Sequence, residues 1–276
     1  MKTGKRTYLI IINTFLILAG IYTLFPLLLA LSNSFKTNGE LLGNVVSLPK
    51  QLHFENYIRT LEKMNYLSTL GNTVFTAGIS VFIMVLFSGV AGWKLCRTKT
   101  KLSNFLYSMF VFSMLIPFSS IMIPLYKVIL GFRIENSLLG LSFVYSGLGV
   151  SMALFLYHGF VKGIPLELEE AASIDGCRPL QIFFLIVFPL LRPITATICI
   201  TNILWVWNDF LLPLIVLSDN KKYTLLLSTN TLFGQYSSDW TAILSALILA
   251  ALPVIVFYAV FQKHIIKGIA DGAVKG

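Results

Sequence analysis

The chain has 276 residues, of which 56% are hydrophobic and 12% charged, with a formal net charge of +9 and a mean hydropathy of +0.80. That composition leaves too little polar surface to coat a water-soluble core of this size, and the apolar residues gather into runs long enough to cross a bilayer. The basic residues flank those runs and form no stripe of their own, which argues against nucleic acid as a partner and assigns the charge to membrane topology.

Six runs in chain order predict six transmembrane helices, at residues 8–31, 70–93, 104–126, 138–160, 182–207 and 241–262. Each is near the ~20 residues a helix needs to span the hydrocarbon, so the expected fold class is an all-α, polytopic membrane protein. The first run follows basic residues but is too long for a secretion signal, and Ala30-Leu31-Ser32 is a poor cleavage site, so it reads as an uncleaved span. Three regions are expected: residues 1–69 as the first helix and an external loop, 70–267 as a core of five helices, and 268–276 as a tail. In span four, Gly140, Ser142, Gly147, Gly149 and Ser151 let neighbouring helices approach closely, with a gating hinge as the lesser alternative. Pro189, Arg192 and Pro193 interrupt the first half of span five and predict a kinked or late-starting helix, with Arg192 reaching backbone carbonyls or a carboxylate. The apolar run Phe210 to Leu217 either dips back or packs at the outer surface.

Lys and Arg in the short connections set the orientation. Lys2, Lys5 and Arg6 precede span one, Lys94, Arg97, Lys99 and Lys101 crowd the link between spans two and three, and Lys263, Lys267 and Lys275 follow span six. An even number of spans puts all three groups on one side, which the positive-inside rule makes cytoplasmic, together with both termini. The connections 32–69 and 218–240 then fall outside.

Between spans four and five lies Glu169-Glu170-Ala171-Ala172-Ser173-Ile174-Asp175-Gly176, a polar helix signal between two apolar runs. Pro165 suits a first helical position, and Glu167, Glu169 and Glu170 favour the positive end of the helix dipole. Ala171 and Ala172 leave room for another surface, Gly176 suits a left-handed end, and Pro179 forbids continuation. A cytoplasmic helix over 165–177 of about three turns, roughly 15 Å, is expected. Leu166, Leu168 and Ile174 would face the membrane or a partner's groove. An ordinary helix resting on headgroups is the alternative, but such helices usually carry Lys and Arg toward anionic lipid.

Asp209, beside Asn208, Trp205 and Trp207, is an ionisable group well into a span and either lines a pathway or caps and pairs near the outer end of span five. His53, His158 and His264 lack metal-ligand spacing and read as surface or interfacial residues, so no metal site is assigned. Cys96, Cys177 and Cys199 imply no disulfide framework. No G-x-x-x-x-G-K-[ST] loop is present, so no nucleotide site and no catalytic role are expected on this chain.

The run Glu170-Ala171-Ala172, Gly176, Ile186 and Pro189 resembles the EAA signature of permease subunits of binding-protein-dependent ABC importers. Pro165 through Pro193 is similar to their carbohydrate-uptake branch, as are Ser34-Phe35-Lys36, Trp207-Asn208-Asp209-Phe210 and Gly272-Ala273-Val274-Lys275-Gly276. The likeness extends over nearly the whole chain and is best to the six-span, maltose-type permease; Phe188 and Asp271 depart from the pattern. The resemblance implies a type I ABC importer permease fold in the cell membrane, paired with a second homologous permease, two ATPase subunits that hold ATP and Mg, and an extracytoplasmic sugar-binding protein. It makes Glu169, Glu170, Ala171, Ala172, Asp175 and Gly176 the coupling element, with Glu170 facing a basic group on the ATPase, and Gly272, Val274 and Lys275 a second ATPase contact unless the tail is simply frayed. The carbohydrate, most naturally an oligosaccharide, would pass Trp205, Asn208 and Asp209. A secondary transporter or channel working without an ATPase is the competing class; it predicts carboxylate or histidine pairs at mid-span, in which this chain is poor.

Overall fold

The computed structural model describes residues 2–234 and 239–273, with side chains over 8–234 and 239–262. All regular structure among the described residues is helical: α1 (Lys2–Ser34), α2 (Asn38–Gly43), α3 (Glu55–Lys63), α4 (Tyr66–Arg97), α5 (Lys101–Ser113), α6 (Phe118–Phe132), α7 (Leu138–Val161), α8 (Glu167–Ile174), α9 (Pro179–Ile182), α10 (Phe188–Leu190), α11 (Arg192–Asn208), α12 (Leu211–Val216), α13 (Leu225–Ser228) and α14 (Trp240–Ala273). Among the described residues, four apolar stretches are long enough to cross a membrane unaided, Tyr8–Ser34, Tyr66–Arg97, Leu138–Val161 and Trp240–Gln262. Two more arise if each of two bent pairs is one span. The chain is a multi-pass membrane protein.

The two bent pairs correct the expected continuous third span and refine the fifth. In the third, α5 and α6 meet at 108° across Met114–Pro117. Pro117 is extended, at φ −64° and ψ 137°, and its ring steers Ile116 out of the helical region. In the fifth, the segment Pro179–Leu190 and α11 meet at 78°. Phe183–Val187 widens to a π-turn, with the Phe188 N–H donating to Phe183 O. Pro189 and Pro193 then remove successive amide donors, and Leu191 sits at φ −83° and ψ 1°. The Leu191 carbonyl at the break accepts from the Thr195 N–H and hydroxyl, and the Tyr157 hydroxyl of α7 donates to Thr195 Oγ1 at 2.9 Å.

The chain forms two compact units, Met1–Leu67 with Ser228–Leu252, and Ser68–Leu227 with Pro253–Gly276. Residues Ser228–Leu252 therefore group with the N-terminal region and not with the expected 70–267 core. In the larger unit α7 is the axis. Its first half packs Leu141, Val144 and Tyr145 against Met84, Ile129, Val206, Leu212 and Val216. Its second half packs Ala153, Tyr157 and Val161 against Trp93, Phe183, Val187 and Ile198. Close approach holds at Gly149, where a Cβ would lie 2.6 Å from the Met84 Sδ and 3.2 Å from the Asn202 Oδ1, but not at Gly147, which is exposed with open space around it. The run after span five packs back onto its own unit, with Leu212, Pro213, Val216 and Leu217 buried and the Asn136 N–H donating to Val216 O.

In the smaller unit Lys36 is fully buried and, among the described residues, has no carboxylate beside it; its ammonium donates to Asn44 O at 2.9 Å, Val45 O and Ser47 Oγ. Asn56 Nδ2 donates to Ser34 O and Lys36 O, so Ser34-Phe35-Lys36 is a structural knot. Asp239 caps α14 through the Ala242 N–H and Thr241 hydroxyl, accepts from Asn38 Nδ2, and pairs with Arg59 at 3.0 Å. Burial pushes its carboxyl up, but those hydrogen bonds and Arg59 outweigh it and hold it below the usual value.

Candidate functional site

The acidic helix α8 is shorter than expected. It has 8 residues, about 12 Å, because Pro165 lies outside it and Leu166 is the N-cap. Glu167, Glu169 and Glu170 occupy its first turn. Gly176 ends it at φ +85°, with its N–H on Ser173 O and the Cys177 N–H on Ala172 O, the paired bonds of a Schellman cap. Pro179 then opens α9 after Arg178, whose N–H donates to Gln181 Oε1 at 2.7 Å.

The six residues grouped from the sequence divide by direction. Glu170, Ala171, Asp175 and Gly176 are exposed, as is Ile174 at 86%. Glu169 and Ala172 point the other way and are corrected as outward contacts. Glu169 is 7% exposed. Its Oε1 accepts from Arg97 Nε at 2.9 Å and Nη2 at 2.8 Å, its Oε2 from Trp93 Nε1 at 2.9 Å, and Arg97 Nη2 also donates to Ile164 O. Ala172 packs beside Trp93, Tyr157 and Phe183. Of the tail, Gly272 falls in the last turn of α14, while Val274 and Lys275 lie outside the described residues.

On α11, Asp209 is a cap and not a free pathway group. Its Oδ1 accepts from the Leu211 N–H at 3.0 Å, opening α12, and its Oδ2 from the Tyr145 hydroxyl at 2.9 Å. Asn208 is exposed with its amide on Leu204 O, and Trp205 is 40% exposed, edge-on to Tyr145. Thr201 and Thr197, which sequence reasoning passed over, stand on the same face one and two turns before Trp205. With Asn202, Thr197, Thr201 and Trp205 line one wall of a groove of about 430 Å³ whose other wall is Leu148, Gly149, Met152 and Leu156 of α7. Spacings of four from Thr197 to Thr201 to Trp205 were the available signal. Arg192 is exposed and, among the described residues, makes neither of the contacts expected of it. Of the two readings of His158, surface or interfacial, the structure favours the second: it is buried between helices and stacked on Tyr107 of α5 at 3.8 Å between ring centres.

Residues 84–271 match the family described as binding-protein-dependent transport system inner membrane component. The chain belongs to this family. Among curated permeases, it is 40% identical over 99% of both chains to the probable starch degradation products transport system permease protein AmyC of Thermoanaerobacterium thermosulfurigenes. It is 32% identical over the full length of both to the melibiose/raffinose/stachyose import permease protein MelC of Bacillus subtilis. It is 35% identical to the multiple sugar-binding transport system permease protein MsmG of Streptococcus mutans, over 94% of this chain and 95% of that one. A chain of a bacterial ABC transporter involved in import of the acidic polysaccharide alginate shares the permease fold, with a TM-score of 0.81 at 21% identity over 94% of this chain and 97% of that one.

Proposed function

We propose that this permease forms half of the translocation pathway of an ATP-driven carbohydrate importer, and that α8 is its dock for a separate ATPase. The observation that carries the coupling half is the shape of α8: it turns Glu170, Ala171 and Ile174 outward while Glu169 and Ala172 root it in its own chain. An exposed carboxylate, a methyl-sized gap and a bare isoleucine suit a groove with a basic rim better than a bilayer surface, which favours cationic helices. The charge asymmetry of the connections supports α8 and both termini on the cytoplasmic side.

ATP and Mg belong to that partner. ATP moves the gate only through a difference in affinity between two arrangements of the assembly. A second homologous permease would face the Thr197, Thr201, Trp205 and Asn208 side of α11, and an external sugar-binding protein would deliver the solute. Relatives named for starch products, raffinose and stachyose support an oligosaccharide as that solute. Hydroxyl, amide and indole groups along one helix face offer the weak, repeated contacts such a solute needs in order to move on.

The test is co-purification with an affinity-tagged chain, together with uptake of labelled raffinose and maltotriose. An ATPase should be retained by the parent chain and lost from Glu170→Lys, with uptake lost in parallel. Undiminished ATPase and uptake in Glu170→Lys would refute docking through α8.

A further inference from the structure

Glu169 is the buried carboxylate in the first turn of α8, and docking does not use it. Its donors, Trp93 and Arg97, stand four residues apart on the last turns of α4 and therefore on one face. Arg97 also holds Ile164 O in the turn that feeds α8. One turn further along, Ala172 packs in the same cluster as Trp93, whose ring lies 5.5 Å from Phe183 in the π-turn. A sealed ion pair stabilises little beyond what apolar packing would, but it resists displacement, because any slip strands a buried charge. Apart from the Glu169 pair, α8 is tied to its chain by the turns at 162–166 and 175–178 and by its packing on α9 and the π-turn.

We propose that Glu169 is a positioning residue: it clamps α8 to the end of α4, so that a push on the exposed face of α8 carries the second span with it. The proposal rests on the reading of α8 as an ATPase dock, and adds which span receives the displacement. Without the clamp, α8 still presents Glu170, Ala171 and Ile174 but pivots on its flanking turns.

The test places spin labels through Lys94→Cys on α4 and Ser173→Cys on α8, both exposed, in a tagged chain whose Cys96, Cys177 and Cys199 are serine. Pulsed electron resonance reads the distance distribution with and without ATP and vanadate, and the purified material reports how much ATPase is retained. The distribution should stay narrow throughout in the parent, and broaden about twofold in Glu169→Ala while the ATPase is retained. Trp93→Phe, which keeps the ring packing and the Arg97 pair, should broaden it less. An unchanged distribution in Glu169→Ala overturns the clamp, as does loss of the ATPase from Trp93→Phe, which would put this cluster in docking itself. If Glu169→Ala does not fold, Trp93→Phe carries the comparison, and an unchanged distribution there overturns the clamp. A parent chain that retains no ATPase refutes the docking reading instead, and label distances in the isolated chain still decide the clamp.

Discussion

Removing Arg97 leaves the Glu169 carboxylate buried with only the Trp93 N–H. Losing one member of a buried pair typically costs about 3–5 kcal/mol, and because Arg97 keeps 19% of its side chain exposed we expect the lower end, about 3, for Arg97→Leu. Glu169→Leu strands a guanidinium that can turn to water and an indole N–H that cannot, for about 2 kcal/mol. In the double variant both charges are gone; only Trp93 Nε1 and Ile164 O lose partners, for about 2 kcal/mol in all. The singles then sum to about 5 and the double to about 2, a coupling of about 3 kcal/mol between residues 72 apart in sequence. Unfolding of all four chains in mixed dodecylmaltoside and dodecyl sulfate micelles, followed by tryptophan fluorescence, measures it. A double variant as unstable as the sum of the singles, within about 0.5 kcal/mol, would refute the pair.

Gly176→Val forces a β-branched side chain into φ +85° and should cost about 1–3 kcal/mol; faster proteolysis at 175–178 than in Gly176→Asn is the signature. Asp239 is held below its usual range, so its folded form binds protons less readily than the unfolded chain. Its contribution to the smaller unit should be complete above the ordinary carboxylate range and fall away as pH drops through its depressed value, flattening in Asp239→Asn when micellar unfolding is followed against pH. Trp205→Ala should slow raffinose uptake about tenfold or more with the ATPase still bound, and Thr201→Val should slow it less; unchanged uptake in both would remove this face from the pathway.

Local punctuation was legible wherever one residue decides the backbone. Gly176 with Pro179 announced the end of α8, and Pro189 with Pro193 announced the broken fifth span. Pro117 was equally available but passed unread, because an apolar window averages over a proline that lipid tolerates when neighbours re-pair the backbone. Direction was harder. Nothing local separates Glu169 from Glu170; the difference is Arg97 and Trp93, which only the packing of α4 brings near. Asp209 was open between two roles for the same reason, until the tyrosine across the helix pair came into view. The groove partners Thr197 and Thr201 were missed because threonines in a membrane helix so often bond their own preceding turn, as these also do.

Lys36 changes the electrical character of the loop that holds it. Residues 32–69 carry four basic side chains and three acidic ones, yet one of the four is walled in by carbonyl oxygens and never meets solvent. Burial takes that ammonium out of reach of counterions but not out of the electrostatic sum: the loop still carries four positive groups against three negative. A charge held in such low-dielectric surroundings is the least screened of the four, so exchanging Lys36 for an uncharged residue would both empty the carbonyl cage and lower the local potential in a way that added salt cannot mimic.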